Sequence, residues 1–285
     1  MTEWEQEATY VDVEGVSTRV YDLGSGPPLL LIHGSDFGAG GAADLWHWNL
    51  SDLSRSARVI APDRLGQGYT AGPSTTTGYR VDAVCDHLAS LLDSLGLADA
   101  TLVGQSRGAF VACRIAMRRP DLVAGLVLVN SASLAPAYGA YHAPARTNLR
   151  AGGANIRRNM EWLCRKTDHI PVQWYERVER MLDRDELIKV RSEFAAEASN
   201  YYPDFDTAKA QVLQWLPSFG KPTTLIWGTD DQMTTVEDGL QCFSILRGKG
   251  NSVRMHLFDG SGHMPFLESP EEFNQLVAQH MARHV

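Results

Sequence analysis

The pentapeptide Gly104-Gln105-Ser106-Arg107-Gly108 sets a hydroxyl between two glycines, and its neighbours say how that hydroxyl would be held. The run Thr101-Leu102-Val103 before it reads as a strand, and the run from Phe110 to Arg119 after it reads as a helix. A strand that turns straight into a helix forces the residue at the apex into a strained backbone conformation, and bulky neighbours would collide with it. The strain lifts the Ser106 hydroxyl clear of the sheet. A serine hydroxyl is a poor nucleophile until a base takes its proton, so a histidine and an acid to orient it must follow along the chain.

Of the nine histidines, His263 is best placed. It ends Gly260-Ser261-Gly262-His263, a glycine-rich loop after the strand VRMHLFD, at the edge where parallel sheets meet their ligands. His256 falls inside that strand, and His280 and His284 fall in the terminal helix, so these read as structural or solvated. The acid belongs in the loop after TLIWG, where both Asp230 and Asp231 qualify. A tetrahedral oxyanion needs two backbone donors. One is the amide of Arg107, next to the nucleophile, and the other is expected from Ser35, which follows His33-Gly34 in the loop after LLLIHG. His33 itself reads as a brace for that loop. The segment Gly66-Gln67-Gly68 is too short to cradle a phosphate, and no metal-ligand cluster or nucleotide-binding glycine pattern occurs, so no cofactor is expected.

These residues need elements to carry them. ATYVDVEGVSTRVYDLG alternates apolar and polar residues around Glu14-Gly15, which predicts a half-exposed hairpin. The short apolar runs PLLLIHG, ARVIAPD, ATLVGQS, LVAGLVLVNS, PTTLIWG and VRMHLFD predict parallel strands covered on both faces. Between them, VDAVCDHLASLLDSLG repeats its apolar residues every three and four positions and ends at Gly96, a helical pattern. The alternation fails between about Leu134 and Pro217, where amphipathic segments rich in Trp, Tyr, Arg and Glu replace the strand runs. This predicts an α/β core in two parts, 1–133 and 218–285, with a helical cap at 134–217 inserted between them.

Composition narrows the partners. Hydrophobic residues make up 44% and charged residues 21%, ordinary globular usage, and the formal net charge of -8 would repel a phosphate backbone. Cys85, Cys113, Cys164 and Cys242 have no paired spacing, which fits neither a disulfide framework nor a zinc site and points to a reducing cytoplasm. The first residues, MTEWEQEATY, lack the basic flank and apolar stretch of a secretory signal, and no run is long enough to span a bilayer. A small-molecule substrate is expected, with no nucleic acid and no membrane; self-association is left open.

Together LLLIHG, VIAPD, GQSRG, WGTDD and GSGHMPFLESPEEFN resemble the α/β hydrolases over nearly the whole chain outside the cap. The resemblance implies an α/β-hydrolase fold with a mostly parallel central sheet, helices on both faces, and a serine, acid and histidine triad. Its usual Gly-x-x-Asp spacing is met by Gly228-Thr229-Asp230-Asp231, which makes Asp231 the acid and leaves Asp230 a turn or capping residue. Within that superfamily, HGSDFGAGGAADLWHWN ahead of VIAPDRLGQG is most similar to the meta-cleavage-product hydrolases, which break a carbon–carbon bond in vinylogous diketone acids from aromatic-ring degradation.

Several positions depart from that family. Its His-Gly-Ser-Gly-Pro-Gly is His33-Gly34-Ser35-Asp36-Phe37-Gly38 here, its methionine after the nucleophile is Arg107, its Trp-x-Asn-Trp is Ala43-Asp44-Leu45-Trp46, and its tryptophan after the catalytic histidine is Met264. The resemblance also implies a cap arginine for the substrate carboxylate, for which a planar bidentate donor is suited. Arg177, within Trp174-Tyr175-Glu176-Arg177-Val178, is nearest by position, and Arg107 is its rival unless a salt bridge to Asp36 neutralises both. Asp36, Phe37, Trp174, Arg177 and Met264 are therefore the candidates for substrate contact. Trp162, Trp174, Tyr175, Trp215 and Tyr138 either line a hydrophobic slot or pack the cap onto the core.

The expected reaction is hydrolysis of a conjugated keto acid: the dienol becomes a ketone, Ser106 attacks its carbonyl with help from His263, and water releases the acyl-enzyme. The same triad would serve a carboxylesterase or lactonase on a small hydrophobic substrate. A third alternative is a receptor that keeps the fold only to bind a small ligand. Epoxide hydrolases and haloalkane dehalogenases carry an aspartate where this chain has Ser106.

Overall fold

Glu14 and Gly15 both take positive φ, 52° and 84°. That is what a two-residue hairpin turn of the primed type requires. It joins β1 (Thr9–Val13) to β2 (Val16–Leu23) as an antiparallel pair, in register from Val13 and Val16 outward. The computed structural model describes residues 8–136, 149, 151–248 and 250–283.

The six apolar runs form β3 (Pro28–Ile32), β4 (Arg58–Pro62), β5 (Ala100–Gln105), β6 (Val123–Val129), β7 (Thr223–Gly228) and β8 (Val253–Phe258). With the hairpin they make one eight-stranded sheet in the order β1-β2-β4-β3-β5-β6-β7-β8, parallel from β4 to β8. Alternation along a strand splits the core in two. Leu30 and Ile32 belong to the cluster on one face and Leu29 and Leu31 to the cluster on the other. The expectation of strands covered on both faces fails for β8. As the sheet's edge it has a partner on one side only, and Leu257 is 48% exposed.

Helices α1 (His47–Leu53), α2 (Val81–Ser94) and α3 (Arg107–Arg118) lie between strands of the first half, and α7 (Val236–Arg247), α8 (Pro265–Glu268) and α9 (Pro270–Met281) belong to the second. Between β6 and β7 lie α4 (Ile156–Leu163), α5 (Val172–Leu182) and α6 (Asp185–Trp215), the last running through Pro203. α5 buries Trp174, Tyr175, Val178, Met181 and Leu182, a single stripe at helical spacing. Tyr138 and His284 lie outside the described residues. The four cysteines are free and buried, and among the described residues no helix is long and apolar enough to cross a membrane.

Candidate active site

β5 ends at Gln105 and α3 begins at Arg107, so Ser106 alone makes the turn, at φ 52° and ψ −119°. A non-glycine residue held there costs on the order of 1–3 kcal/mol and persists because its surroundings leave no alternative. Ser106 N–H donates to the Val129 carbonyl at 2.8 Å, and its own carbonyl accepts the Ser131 hydroxyl at 2.7 Å. The flanking glycines are required by close approach. A Cβ on Gly104 would sit 2.4 Å from the Gly108 carbonyl oxygen, and one on Gly108 would sit 2.2 Å from that of Ile32.

The loops after β7 and β8 bring Asp231 and His263 together: His263 Nδ1 is 2.8 Å from Asp231 Oδ2. Asp231 is buried while Asp230 is exposed, its backbone carbonyl held by Arg165 Nε. Burial alone would raise the Asp231 carboxyl. The attraction of His263 and hydrogen bonds from Thr234 and Asn130 outweigh it and hold the carboxyl below the ordinary aspartate range. Met233 N–H also donates to Oδ1 at 2.7 Å, so the acid is fixed in place as well as charged.

Three residues that support this arrangement were not found from the sequence. Asn130, at φ 43° just past β6, donates from Nδ2 to Asp231 Oδ2 at 2.6 Å. Gln105 donates from Nε2 to the His263 carbonyl at 3.2 Å, tying the nucleophile's strand to the histidine loop. The buried carboxylate of Glu268 accepts the N–H of Gly262 on Oε1 at 2.8 Å and those of Arg165 and Lys166 on Oε2 at 2.7 and 3.1 Å. Together with the His263 N–H donating to the Leu163 carbonyl at 2.7 Å, this fastens the end of α4 to the histidine loop.

Ser35 takes φ 74°, and the loop's carbonyls are held from behind. Arg64 Nη2 donates to the Gly34 carbonyl at 2.7 Å and to that of Ser35, and Gln67 Nε2 donates to that of Asp36 at 2.9 Å. In a trans peptide the C=O of one residue and the N–H of the next point opposite ways. The Ser35 N–H therefore points away from Arg64. By the same argument the Arg107 N–H points away from Ser131, which holds the Ser106 carbonyl. His33 is fully buried, and burial with Arg64 beside it pushes its pKa well down. As a neutral ring it donates from Nδ1 to the Gly34 carbonyl and accepts the Arg64 N–H on Nε2, at 3.1 Å each. That is a brace.

A cavity of about 470 Å³ opens over Ser106 and His263. Ser35, Asp36, Phe37, Arg107 and Met264 line it, as do Leu45 and, from the helices between β6 and β7, Ile156, Met160, Leu163, Leu182, Arg191, Phe194 and Tyr202. The Arg107 side chain is committed to Asp36, with Nε 2.8 Å from Oδ1 and Nη2 3.4 Å from Oδ2.

Arg177 and Trp174, which the sequence offered for substrate contact, are not in that lining. Arg177 Nη2 lies 3.1 Å from Asp44 Oδ1 and donates to the Tyr21 hydroxyl at 3.3 Å, beside a buried group in which Arg19 bridges Asp44 and Asp63. The Trp174 side chain is packed away against Trp48 and Tyr175, its Nε1 donating to the Asp44 carbonyl at 3.3 Å. Tyr175, Trp162 and Trp215 are not in the lining either. The arginine that does face the cavity is Arg191, on α6, whose Nη1 donates to the Gly38 carbonyl at 3.1 Å. Among the described residues no carboxylate pairs with it.

The chain is 29% identical to a 2-hydroxymuconate semialdehyde hydrolase of Pseudomonas sp. (strain CF600), over 94% of this chain and 91% of that protein. It is 28% identical to a 2-hydroxy-6-oxo-2,4-heptadienoate hydrolase of Pseudomonas putida F1, over 94% of each. Its fold is similar to that of a meta-cleavage product hydrolase from Pseudomonas fluorescens IP01, CumD, with a TM-score of 0.81 at 23% identity, covering 97% of this chain and 98% of that one. The model of the alpha/beta hydrolase family matches residues 29–276, from β3 into the last helix and across the whole site, and the chain belongs to that family.

Proposed function

We propose that this enzyme hydrolyses a carbon–carbon bond in an acidic, conjugated diketone, with Ser106 as nucleophile, His263 as its base, Asp231 as the acid that orients the base, and the amides of Ser35 and Arg107 as oxyanion donors. The observation that carries this reading is Arg191 in the wall of the cavity that also holds Ser106 and His263. A cation with no carboxylate partner among the described residues suits a substrate carboxylate, and the apolar side chains of Ile156, Met160, Leu163 and Leu182 suit the tail beyond the reacting carbonyl. The anchoring role expected of Arg177 passes to Arg191. The cap assigned to residues 134–217 contributes Ile156, Met160, Leu163, Leu182 and Arg191 to the cavity wall, and four buried free cysteines suit a reducing cytoplasm.

The steps follow from this arrangement. The dienol gains a proton on carbon and becomes a ketone. Ser106 Oγ, losing its proton to His263, attacks the substrate's other carbonyl, the one beside the newly protonated carbon, and the oxyanion forms beside the Ser35 and Arg107 amides. The bond between the attacked carbonyl carbon and the protonated carbon breaks, its electron pair leaving as a dienolate that takes the proton from His263, so that an acyl-enzyme remains and a hydroxydienoate is released. Water, activated by His263, then frees the second carboxylic acid and restores Ser106.

A panel of ring-fission acids and neutral esters tests the assignment, the acids being followed by loss of their yellow dienolate absorbance. A charge-assisted contact contributes about 1.5–3 kcal/mol, so Arg191→Gln is expected to lower kcat/KM for the acids by about tenfold or more. Neutral esters should change by no more than about twofold. Activity confined to neutral esters would make the enzyme an esterase, and an unchanged kcat/KM for the acids would remove Arg191 from the site.

A further inference from the structure

The side chain that follows the nucleophile does not enter the cavity as a free charge. Arg107 is 5% exposed and reaches across to Asp36 with two hydrogen bonds, at 2.8 and 3.4 Å. These two residues occupy particular places: Asp36 directly follows Ser35, and Arg107 directly follows Ser106. The pair therefore joins the two backbone segments that present the oxyanion donors. The loop around Ser35 is fixed from behind by Arg64 and Gln67, and the turn at Ser106 is fixed by Ser131. Pairing of β3 with β5 brings the loop beside the turn, and a Cβ on Gly34 would sit 3.0 Å from that of Ser106; beyond the strand ends, the ion pair ties the two segments to each other.

Both partners also meet α6. The Arg107 guanidinium lies over the Phe205 ring, 3.8 Å from its centroid, and the Tyr201 hydroxyl donates to Asp36 Oδ1 at 3.3 Å. Tyr201 and Phe205 stand one helical turn apart on the helix that also carries Arg191. The helix that would hold the substrate's carboxylate thus rests on the clamp that spaces the oxyanion donors.

We infer that Asp36 and Arg107 are positioning residues: their ion pair sets the spacing of the Ser35 and Arg107 amides, and α6 braces it. The inference rests on the reading of those amides as the oxyanion hole. Among the described residues it also accounts for the charges in the cavity wall, since Asp36 pairs with Arg107 and Arg191 has no carboxylate partner. Asp36 and Arg107 would then act on the transition state and hardly at all on substrate binding.

The experiment uses Asp36→Asn, Asp36→Glu, Arg107→Met and the Asp36→Asn/Arg107→Met double variant, with active sites counted by fluorophosphonate labelling so that misfolded enzyme drops out of kcat. Each asparagine or methionine variant is expected to lose about thirtyfold or more in kcat per labelled site, with KM within about threefold. The double variant should fall no further than the worse single one, because the two side chains act as a unit. Asp36→Glu should recover most of the loss. Affinity for a phenylboronic acid, which forms a tetrahedral adduct with the serine, should weaken in parallel with kcat/KM. A kcat per site within twofold of wild type, a loss carried by KM, or unchanged boronate affinity would overturn the inference. Failure of the underlying reading looks different: wild type would take neither the fluorophosphonate at Ser106 nor the boronate.

Discussion

Ser106, Asp231 and His263 stand just past the ends of β5, β7 and β8, whereas Arg191, Phe194 and Tyr202 come from the interior of one 31-residue helix. The first group is placed by topology. Parallel strands must end at the same edge, so a reactive residue in the loop after a strand is delivered to that edge whatever its precise offset. The second group is placed by rotation. A shift of two residues along a helix turns a side chain by about 200°, from the cavity wall to solvent. Function on the sheet side of the cavity is therefore fixed by chain order, and on the cap side by packing.

Substitutions on the sheet side test that contrast most severely. Ser106→Ala should lower turnover by several orders of magnitude with folding intact, and fluorophosphonate labelling should vanish with it. Labelling at another serine would move the nucleophile. Asp231→Asn should cost about a thousandfold or more in kcat, because the histidine loses the partner that fixes its tautomer and stabilises its charged form. Asp230→Asn, on an exposed neighbour, should stay within about twofold; the reverse ranking would transfer the role.

Asn130→Ala sharpens the comparison at the next level. It removes a 2.6 Å donor from the acid and puts a residue without a side-chain amide at φ 43°, so we expect about ten- to a hundredfold loss in kcat and about 1–3 kcal/mol in stability by urea unfolding. An unchanged kcat would mean that Thr234 and Met233 alone secure Asp231. Arg177→Gln should do least. Its guanidinium serves Asp44 and Tyr21, and Asp44 keeps Arg19, so kcat/KM for ring-fission acids should stay within about threefold while stability falls by about 1 kcal/mol. A tenfold loss in kcat/KM would return the anchor to Arg177.

The same contrast explains what could be read from the sequence. The strands, the turn at Ser106 and the loop of His263 were legible because apolar runs and flanking glycines are local signals, whereas Asp231 was separated from Asp230 only by the pattern that the family resemblance implies. The arginine in the cap was not. Arg177 and Arg191 are both helix arginines, and only the packing of α5 and α6 turns one toward Asp44 and the other toward Gly38. Asn130 did leave a signal: it is the polar residue that ends the apolar run LVLVN, of a type that tolerates the left-handed conformation found there. Glu268 left none, since an acidic residue before Ser269-Pro270 reads equally well as solvated.

The bonds that fasten Leu163, Arg165 and Lys166 to His263, Glu268 and Gly262 also decide how separable the parts of this enzyme are. A cap grafted from a relative by cutting at the two places where the chain leaves and rejoins the sheet would take one half of this joint and leave the other behind. The core would keep a buried carboxylate with two of its three N–H donors gone, next to a His263 N–H that has lost the Leu163 carbonyl. A working chimera would have to bring a turn with the same carbonyl and the same pair of N–H groups, or replace Glu268 together with the cap. The unit of exchange in this protein is the cap with its joint.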